Sequence, residues 1–165
     1  MKENKSSKHI ISVWVENRFG VLARVAGLFS GRGFNITSLA VGETNDASIS
    51  RMTIVVDDQG NPKIMEQVEK QLNKLVEVIK IQDMTGEEYV DRELVLIRVG
   101  ASRATRAEIL EIAGVFRAKA VHVNHSSLVL EIVGDQMKIN AFIELLSRYG
   151  IKELVRSGRI AVGRS

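Results

Sequence analysis

The sequence predicts an α+β protein built from two tandem βαββαβ modules, and three observations carry that reading. Strand-like apolar runs and helically spaced apolar positions follow one another as β-α-β-β-α-β. The same order then begins again, with first strands about 84 residues apart. The two halves match in element spacing while sharing little sequence. A chain of 165 residues, 45% hydrophobic and 26% charged, can bury a core, and its length suits one ordinary domain or two of about 75 residues. The repeat decides for two: residues 9–84, a connecting stretch 85–92, and residues 93–165.

The first strand is Ile10 to Val15, β-branched and apolar, stopping at Glu16-Asn17-Arg18. From Gly20 the spacing changes. Val21, Leu22, Val25, Leu28 and Phe29 recur every three or four residues and share one helical face, and Gly31 or Gly33 supplies a left-handed cap at its end. Ile36 to Gly42 and Ile49 to Val56 form a hairpin across Glu43-Thr44-Asn45-Asp46, whose polar side chains favour a turn. Asn61-Pro62 sets an N-cap beside a proline at a first helical position, and Ile64, Met65, Val68, Leu72 and Leu75 make the stripe of a second helix. Glu77 to Gln82 alternates like a half-buried strand, and the stretch from Met84 to Arg92 is polar.

In the second half, Leu94 to Val99 is a strand, and a helix from about Arg103 to Arg117 carries Ile109, Ile112, Ala113 and Phe116. Ala120 to Val123 pairs with Leu128 to Val133. A helix from Gln136 to Tyr149 carries Ile139, Phe142, Ile143 and Leu146 and stops at Gly150; Ile151 to Val155 and Ile160 to Val162 supply the last strands. Two helices on one side of each sheet leave the other face and the edges open for association, so an oligomer is expected.

Composition excludes several function classes. The absence of cysteine removes disulfides, thiolate metal sites and a cysteine nucleophile, and points to a cytoplasmic protein. No apolar run approaches the roughly 20 residues of a membrane span, and Met1 to Lys8 is polar, so neither export nor membrane insertion is expected. Residues 1–85 hold 11 basic and 10 acidic side chains and the remainder 12 and 10, so the excess of +3 is a mixed, solvated surface and not a nucleic-acid footprint. An RNA-recognition reading of the module also lacks the aromatic third strand it needs, since Ser50 to Val56 has none and only Trp14 could stack. His122 and His125 could meet across a hairpin, but no third ligand is near, and no metal is expected. Asp57-Asp58 and Glu87-Glu88 fall in polar connections, and Ser30, Ser38 and Ser50 sit in no nucleophile elbow. Gly20, Gly31 and Gly33 match neither dinucleotide nor P-loop spacing.

One arrangement carries a binding argument. Asn17-Arg18-Phe19-Gly20 leads from a strand into a helix whose first N–H groups lack partners and lie at the positive end of its dipole, which suits a carboxylate. Gly20 permits close approach, Asn17 offers donor and acceptor, and an ordinary cap with a turn glycine is the competing account. Asn35, after the glycine turn, is a second polar group for an amino-acid zwitterion, with Val21, Leu22 and Ile36 as aliphatic walls.

The stretch VENRFGVLARVAGLFSGRGFNITSLAVGET, with SRMTIVV and QVEKQLNKLVEVIKI, resembles the ACT domain of the acetohydroxyacid (acetolactate) synthase small-subunit family. VDRELVLIRV, Val115-Phe116-Arg117 and Arg156-Ser157-Gly158 resemble that family's C-terminal domain. The likeness runs from about His9 to Gly163; Phe19 and Ala161 stand where the family often has a smaller residue or proline and a glycine. The resemblance implies an N-terminal ACT domain and a C-terminal ACT-like domain, both ferredoxin-like, in a non-catalytic regulatory subunit. It implies that the subunit activates a separate catalytic (large) subunit and transmits feedback inhibition by valine or another branched-chain amino acid. By position in the motif, Asn17, Gly20 and Asn35 match effector-site residues, with Val21, Leu22 and Ile36 as walls. It further implies a homodimer, no cofactor in this chain, and thiamine diphosphate, magnesium and FAD on the catalytic partner. A free-standing amino-acid-binding ACT regulator and an RNA-binding tandem module are the competing readings.

Overall fold

The structure is a computed structural model that describes residues 8–58, 61 and 63–164. The polar start before Lys8 and the helix-opening Pro62 lie outside the described residues. The chain divides into two units, Met1–Val90 with Arg159–Ser165, and Asp91–Gly158. Each is a βαββαβ module, as the alternation of periods predicts.

The first unit contains β1 (Lys8–Glu16), α1 (Val21–Gly31), β2 (Asn35–Glu43), β3 (Ile49–Asp57), α2 (Ile64–Leu72) and β4 (Val78–Asp83). Its sheet has the order β2-β3-β1-β4, with every pairing antiparallel. The period of two divides β1 and β3 cleanly. Ile11, Val13 and Val15 join Met52, Ile54 and Val56 beneath Val21, Val25 and Phe29 of α1 and Ile64, Met65, Val68 and Leu72 of α2. Leu22, expected on that helical face, is 45% exposed.

Helix α1 stops in a Schellman motif. Gly33 at φ 70° donates to Ser30 O, and Phe34 N donates to Phe29 O at 3.0 Å. The Phe29 and Phe34 rings then meet edge to face with centroids 6.2 Å apart. At the start of α2, Asn61 Oδ1 accepts from Lys63 N at 3.1 Å, while Lys63 occupies the cap position.

The helix-free face of this sheet is partly covered by the chain itself. Ile10, Val55, Met84 and Ala161 form a second small core with Tyr89 against it. Arg51 donates to Ala161 O at 2.7 Å and to Ser12 Oγ at 2.9 Å, and Arg159 N donates to Ser38 Oγ at 2.9 Å. Trp14 lies on the same face between its cross-strand neighbours, with the Arg51 guanidinium 4.5 Å and the Lys80 ammonium 4.9 Å from the ring centroid. Residues 159–165, expected with the second module, therefore group with the first.

The second unit holds most of β5 (Tyr89–Gly100), then α3 (Arg106–Val115), β6 (Lys119–Val123), β7 (Ser127–Gly134), α4 (Gln136–Ser147) and β8 (Ile151–Arg156). Its order, β6-β7-β5-β8, repeats that of the first, and β9 (Ile160–Gly163) pairs with β5. β5 begins five residues before the expected Leu94, because residues read as a polar connection find a strand partner 70 positions away; Arg164 N donates to Glu88 O at 3.0 Å. Val95, Ile97, Val99, Leu128, Leu130 and Ile132 face Ile109, Ala113, Ile139, Phe142 and Leu146. Asp135 caps α4 by accepting from Lys138 N at 2.8 Å. Buried Glu93 takes two hydrogen bonds from Arg156, at 3.0 and 2.5 Å, a bidentate pair that satisfies both carboxylate oxygens. Among the described residues no helix is long and apolar enough to cross a membrane.

Phe142 is fully buried against Phe116, with ring centroids 5.2 Å apart. Phe142→Ala should cost about 3–5 kcal/mol in a denaturant titration, whereas Met137→Ala, on the exposed side of α4, should stay within about 0.5 kcal/mol of the parent.

Candidate functional site

The turn between β1 and α1 is shaped by two residues with different tasks. Gly20 sits at φ 84° and ψ −9°, the left-handed region, and occupies the cap position of α1. A Cβ there would meet no atom within 4 Å, so the glycine is required by the backbone and leaves open space above it. No side chain caps α1 and no acidic residue lies in its first turn, so nothing in the helix itself neutralises its positive end. Beside it, Val21 is buried, Leu22 is half exposed and Phe19 is fully exposed.

Asn17 fixes the other side of the turn. Its backbone N donates to Ser48 O at 2.7 Å, and its side-chain amide donates to Ala47 O at 2.9 Å and Glu43 Oε1 at 3.0 Å. These bonds tie the β1–α1 turn to the β2–β3 turn. That second turn is held in turn by Asp46, which accepts from Ser48 Oγ at 2.6 Å and Ser48 N at 2.9 Å. The Ser48 hydroxyl first, and its backbone N–H second, keep the Asp46 carboxyl below its ordinary pKa. Behind the turn, Arg24 of α1 pairs with the buried carboxylate of Glu77, and Glu16 N donates to Glu77 O at 2.9 Å. Glu16 and Arg18 form a further ion pair at 2.6 Å.

The structure brings Asn17, Gly20, Val21 and Leu22 together, but not Asn35. Asn35 is exposed at the first position of β2, paired with Asp57, whereas Glu43 at the far end of β2 pairs with Ser50 next to the Asn17 turn. Asp57 lies seven residues along β3 from Ser50, a span of roughly 23 Å. Ile36 follows Asn35 and packs its side chain against the core. Asn35 and Ile36 therefore approach no other member of the set within one chain. Both lie on β2, an edge strand of the sheet.

The partners of Asn17 were not singled out from sequence. Glu43, Ala47 and Ser48 belong to an ordinary polar turn by composition, and only the Asx pattern of Asp46 two residues before Ser48 was available as a signal. Among the described residues no group of three or more His, Asp or Glu side chains is placed to hold a metal ion.

Gly20→Ala should destabilise the chain by about 1–2 kcal/mol through the positive φ alone, because no steric contact accompanies it; a denaturant midpoint measures this. Asp46 is depressed in the folded chain, so its contribution is present above the unfolded carboxyl pKa and is lost as pH falls through the folded value. An NMR titration should find Asp46 below the ordinary aspartate range, and Ser48→Ala should raise it.

Comparison with known proteins agrees with this architecture. Residues 11–80 match the model of the AHAS small subunit-like ACT domain, and residues 92–165 match that of the small subunit of acetolactate synthase. The chain is 55% identical to the probable acetolactate synthase small subunit of Archaeoglobus fulgidus, over 95% of this chain and 97% of that protein. It is 49% identical to the acetolactate synthase small subunit of Mycolicibacterium smegmatis, over 98% and 94%. The crystal structure of the acetolactate synthase small subunit from Thermotoga maritima superposes with a TM-score of 0.86 at 39% identity, covering 96% of this chain and 98% of that one. Two family models that together span nearly the whole chain, and full-length relatives at about half identity, place it: this chain belongs to the acetolactate synthase small-subunit family.

Proposed function

We propose that this chain is the non-catalytic regulatory subunit of a cytoplasmic acetolactate synthase, and that it activates the catalytic subunit and transmits feedback inhibition by valine or another branched-chain amino acid. Thiamine diphosphate, magnesium and FAD belong, in this reading, to the catalytic partner. The observation that carries the effector assignment is the uncapped start of α1 behind Gly20, with open space above a glycine in the left-handed region. A carboxylate suits that place on charge and on hydrogen-bonding grounds.

The position of Asn35 supports a homodimer in the same reading. β2 is an edge strand, and its free backbone groups can pair with the β2 of a second copy. In a two-fold antiparallel pairing, the start of one β2 lies beside the end of the other. Asn35 and Ile36 of one copy would then approach the Glu43–Asn17–Gly20 end of its neighbour. The zwitterion would take its carboxylate contact from the Gly20 turn and polar contacts from Asn17 and Asn35, with Val21, Leu22 and Ile36 walling its side chain. Exposed Phe19, in the same turn, would gain cover.

Inhibition requires that valine bind two packings of the paired modules unequally. A coupling of about 1–3 kcal/mol, a fivefold to 150-fold change in affinity, gives a clear response. Gly20→Asp is the decisive variant, because aspartate tolerates positive φ better than most residues while setting a carboxylate beside the effector's own. Calorimetric titration with valine, leucine and isoleucine, alone and with the catalytic subunit, should show saturable binding that Gly20→Asp abolishes and Gly20→Ala retains. Activation of the catalytic subunit should survive in both variants. A Gly20→Asp protein that responds to valine like the parent moves the site elsewhere, and a chain that leaves the catalytic rate unchanged defeats the regulatory assignment.

A further inference from the structure

The polar atoms around the β1–α1 turn divide into acceptors on one side and donors on the other. Asn17 Nδ2 donates to Glu43 Oε1 at 3.0 Å and to Ala47 O at 2.9 Å. Both partners are pure acceptors, a carboxylate and a carbonyl, so the amide can face them only with its nitrogen, and both of its N–H bonds are spent there. Its oxygen remains. Among the described residues nothing donates to Asn17 Oδ1. Asn17 therefore meets a ligand as an acceptor, which suits an ammonium and not a carboxylate.

Glu43 completes this acceptor side. It ends β2, one of its carboxylate oxygens takes the Asn17 bond, and among the described residues no cation pairs with it. The arginines of the turn and of α1 are engaged elsewhere, Arg18 with Glu16 and Arg24 with Glu77. Asp46 in the neighbouring turn, held by Ser48, adds a second carboxylate without a cation partner. The donors lie across the turn. Leu22 N and Ala23 N have no acceptor among the described residues, and Val21 N reaches Arg18 O at 3.4 Å. That bond closes residues 18–21 into a turn whose ends lie within about 7 Å, so one short stretch of backbone is flanked by both sets of groups.

The signs of the two sides set what can bind between them. The helix start alone would hold any small carboxylate, including acids without nitrogen such as acetolactate. A carboxylate with no cation of its own beside that start repels such acids and attracts an α-ammonium.

We propose that Glu43 is the specificity-determining residue of the effector site: with Asn17 Oδ1 it holds the α-ammonium of an amino acid, so that carboxylic acids of the same carbon skeleton without the amine are rejected. This rests on the effector reading given above and adds to it the residue that tells an amino acid from its nitrogen-free counterparts.

The test compares valine with 3-methylbutanoate, which is valine without its ammonium. The full chain is titrated calorimetrically with its catalytic subunit present, the catalytic subunit alone serving as blank. The parent should prefer valine by about tenfold or more. Glu43→Gln keeps an oxygen that can accept from Asn17 and removes the charge, whereas Glu43→Ala removes both. Each should weaken valine by about tenfold or more, with the circular dichroism of the parent retained. A Glu43 that merely ties the two turns together would instead be rescued by glutamine. Parental valine affinity in either variant overturns the proposal, and so does a parent that binds 3-methylbutanoate as tightly as valine. A parent that binds valine, loses it in Gly20→Asp and keeps it in Glu43→Gln defeats this proposal alone. A parent that binds no branched-chain amino acid defeats the effector reading and this proposal with it.

Discussion

Both crossovers of a βαββαβ module return on the same side of its sheet, so one face is buried by helices while the other, with two strand edges, is left to find cover. Ile11, Val13 and Val15 vanish beneath α1 and α2; their neighbours Ile10, Ser12 and Trp14 face the other way and need different partners. The first module meets that need within the chain, by folding Ala161 back over Ile10 and Val55 and by anchoring Arg51 to a backbone carbonyl. On the corresponding face of the second module Leu96 keeps 36% and Val155 51% of its surface exposed, and Arg98 pairs with Glu153 beside them. What differs between the two halves is the treatment of this face, not the topology.

The same logic governs the turn before α1. A helix that starts without a capping side chain leaves first-turn N–H groups without a side-chain acceptor, though in α1 Val21 N donates to Arg18 O at 3.4 Å, and most helices place Ser, Thr, Asp or Asn at the cap. α4 does so with Asp135, and α1 has Gly20 instead. The asparagine that stands nearby, Asn17, spends its amide protons on Glu43 and Ala47, joining two turns into one rigid rim. An ordinary cap would favour the helix locally, whereas this arrangement leaves the positive end of α1 open and holds its surroundings in place.

Features written in local sequence were legible in advance, and those made by distant pairing were not. The end of α1 was visible because glycine is nearly obligatory at a left-handed cap, and the structure uses Gly33 for it. The apolar stripe of α2 and the strands of both hairpins fall where period and turn residues put them. The start of β5 at Tyr89 was not visible, because residues 89–93 become strand only by meeting a segment some 70 residues away, and although Ile160 to Val162 reads as a strand, its sequence does not name its partner. For the site, the Gly20 turn was readable from its strand–glycine–helix context. The distance between Asn17 and Asn35 was not, since motif order says nothing of which end of a sheet each residue reaches. Leu22 shows the limit of a helical stripe: its position at the edge of the face leaves it half exposed.

The separation of Asn35 from Gly20 has an energetic consequence for any effector held between them. A ligand that needs residues from two copies binds only the paired state, so its binding and the pairing are linked. At a concentration a hundredfold above its dissociation constant it would stabilise the dimer by about 2.7 kcal/mol. Conversely, any second contact that holds two copies together raises the fraction of chains already competent to bind, and so raises the apparent affinity without touching the site. Substitutions at such a contact would shift the effector's apparent affinity through the population of pairs, while substitutions at Gly20 would change the intrinsic affinity and leave the effector-free pairing as it was.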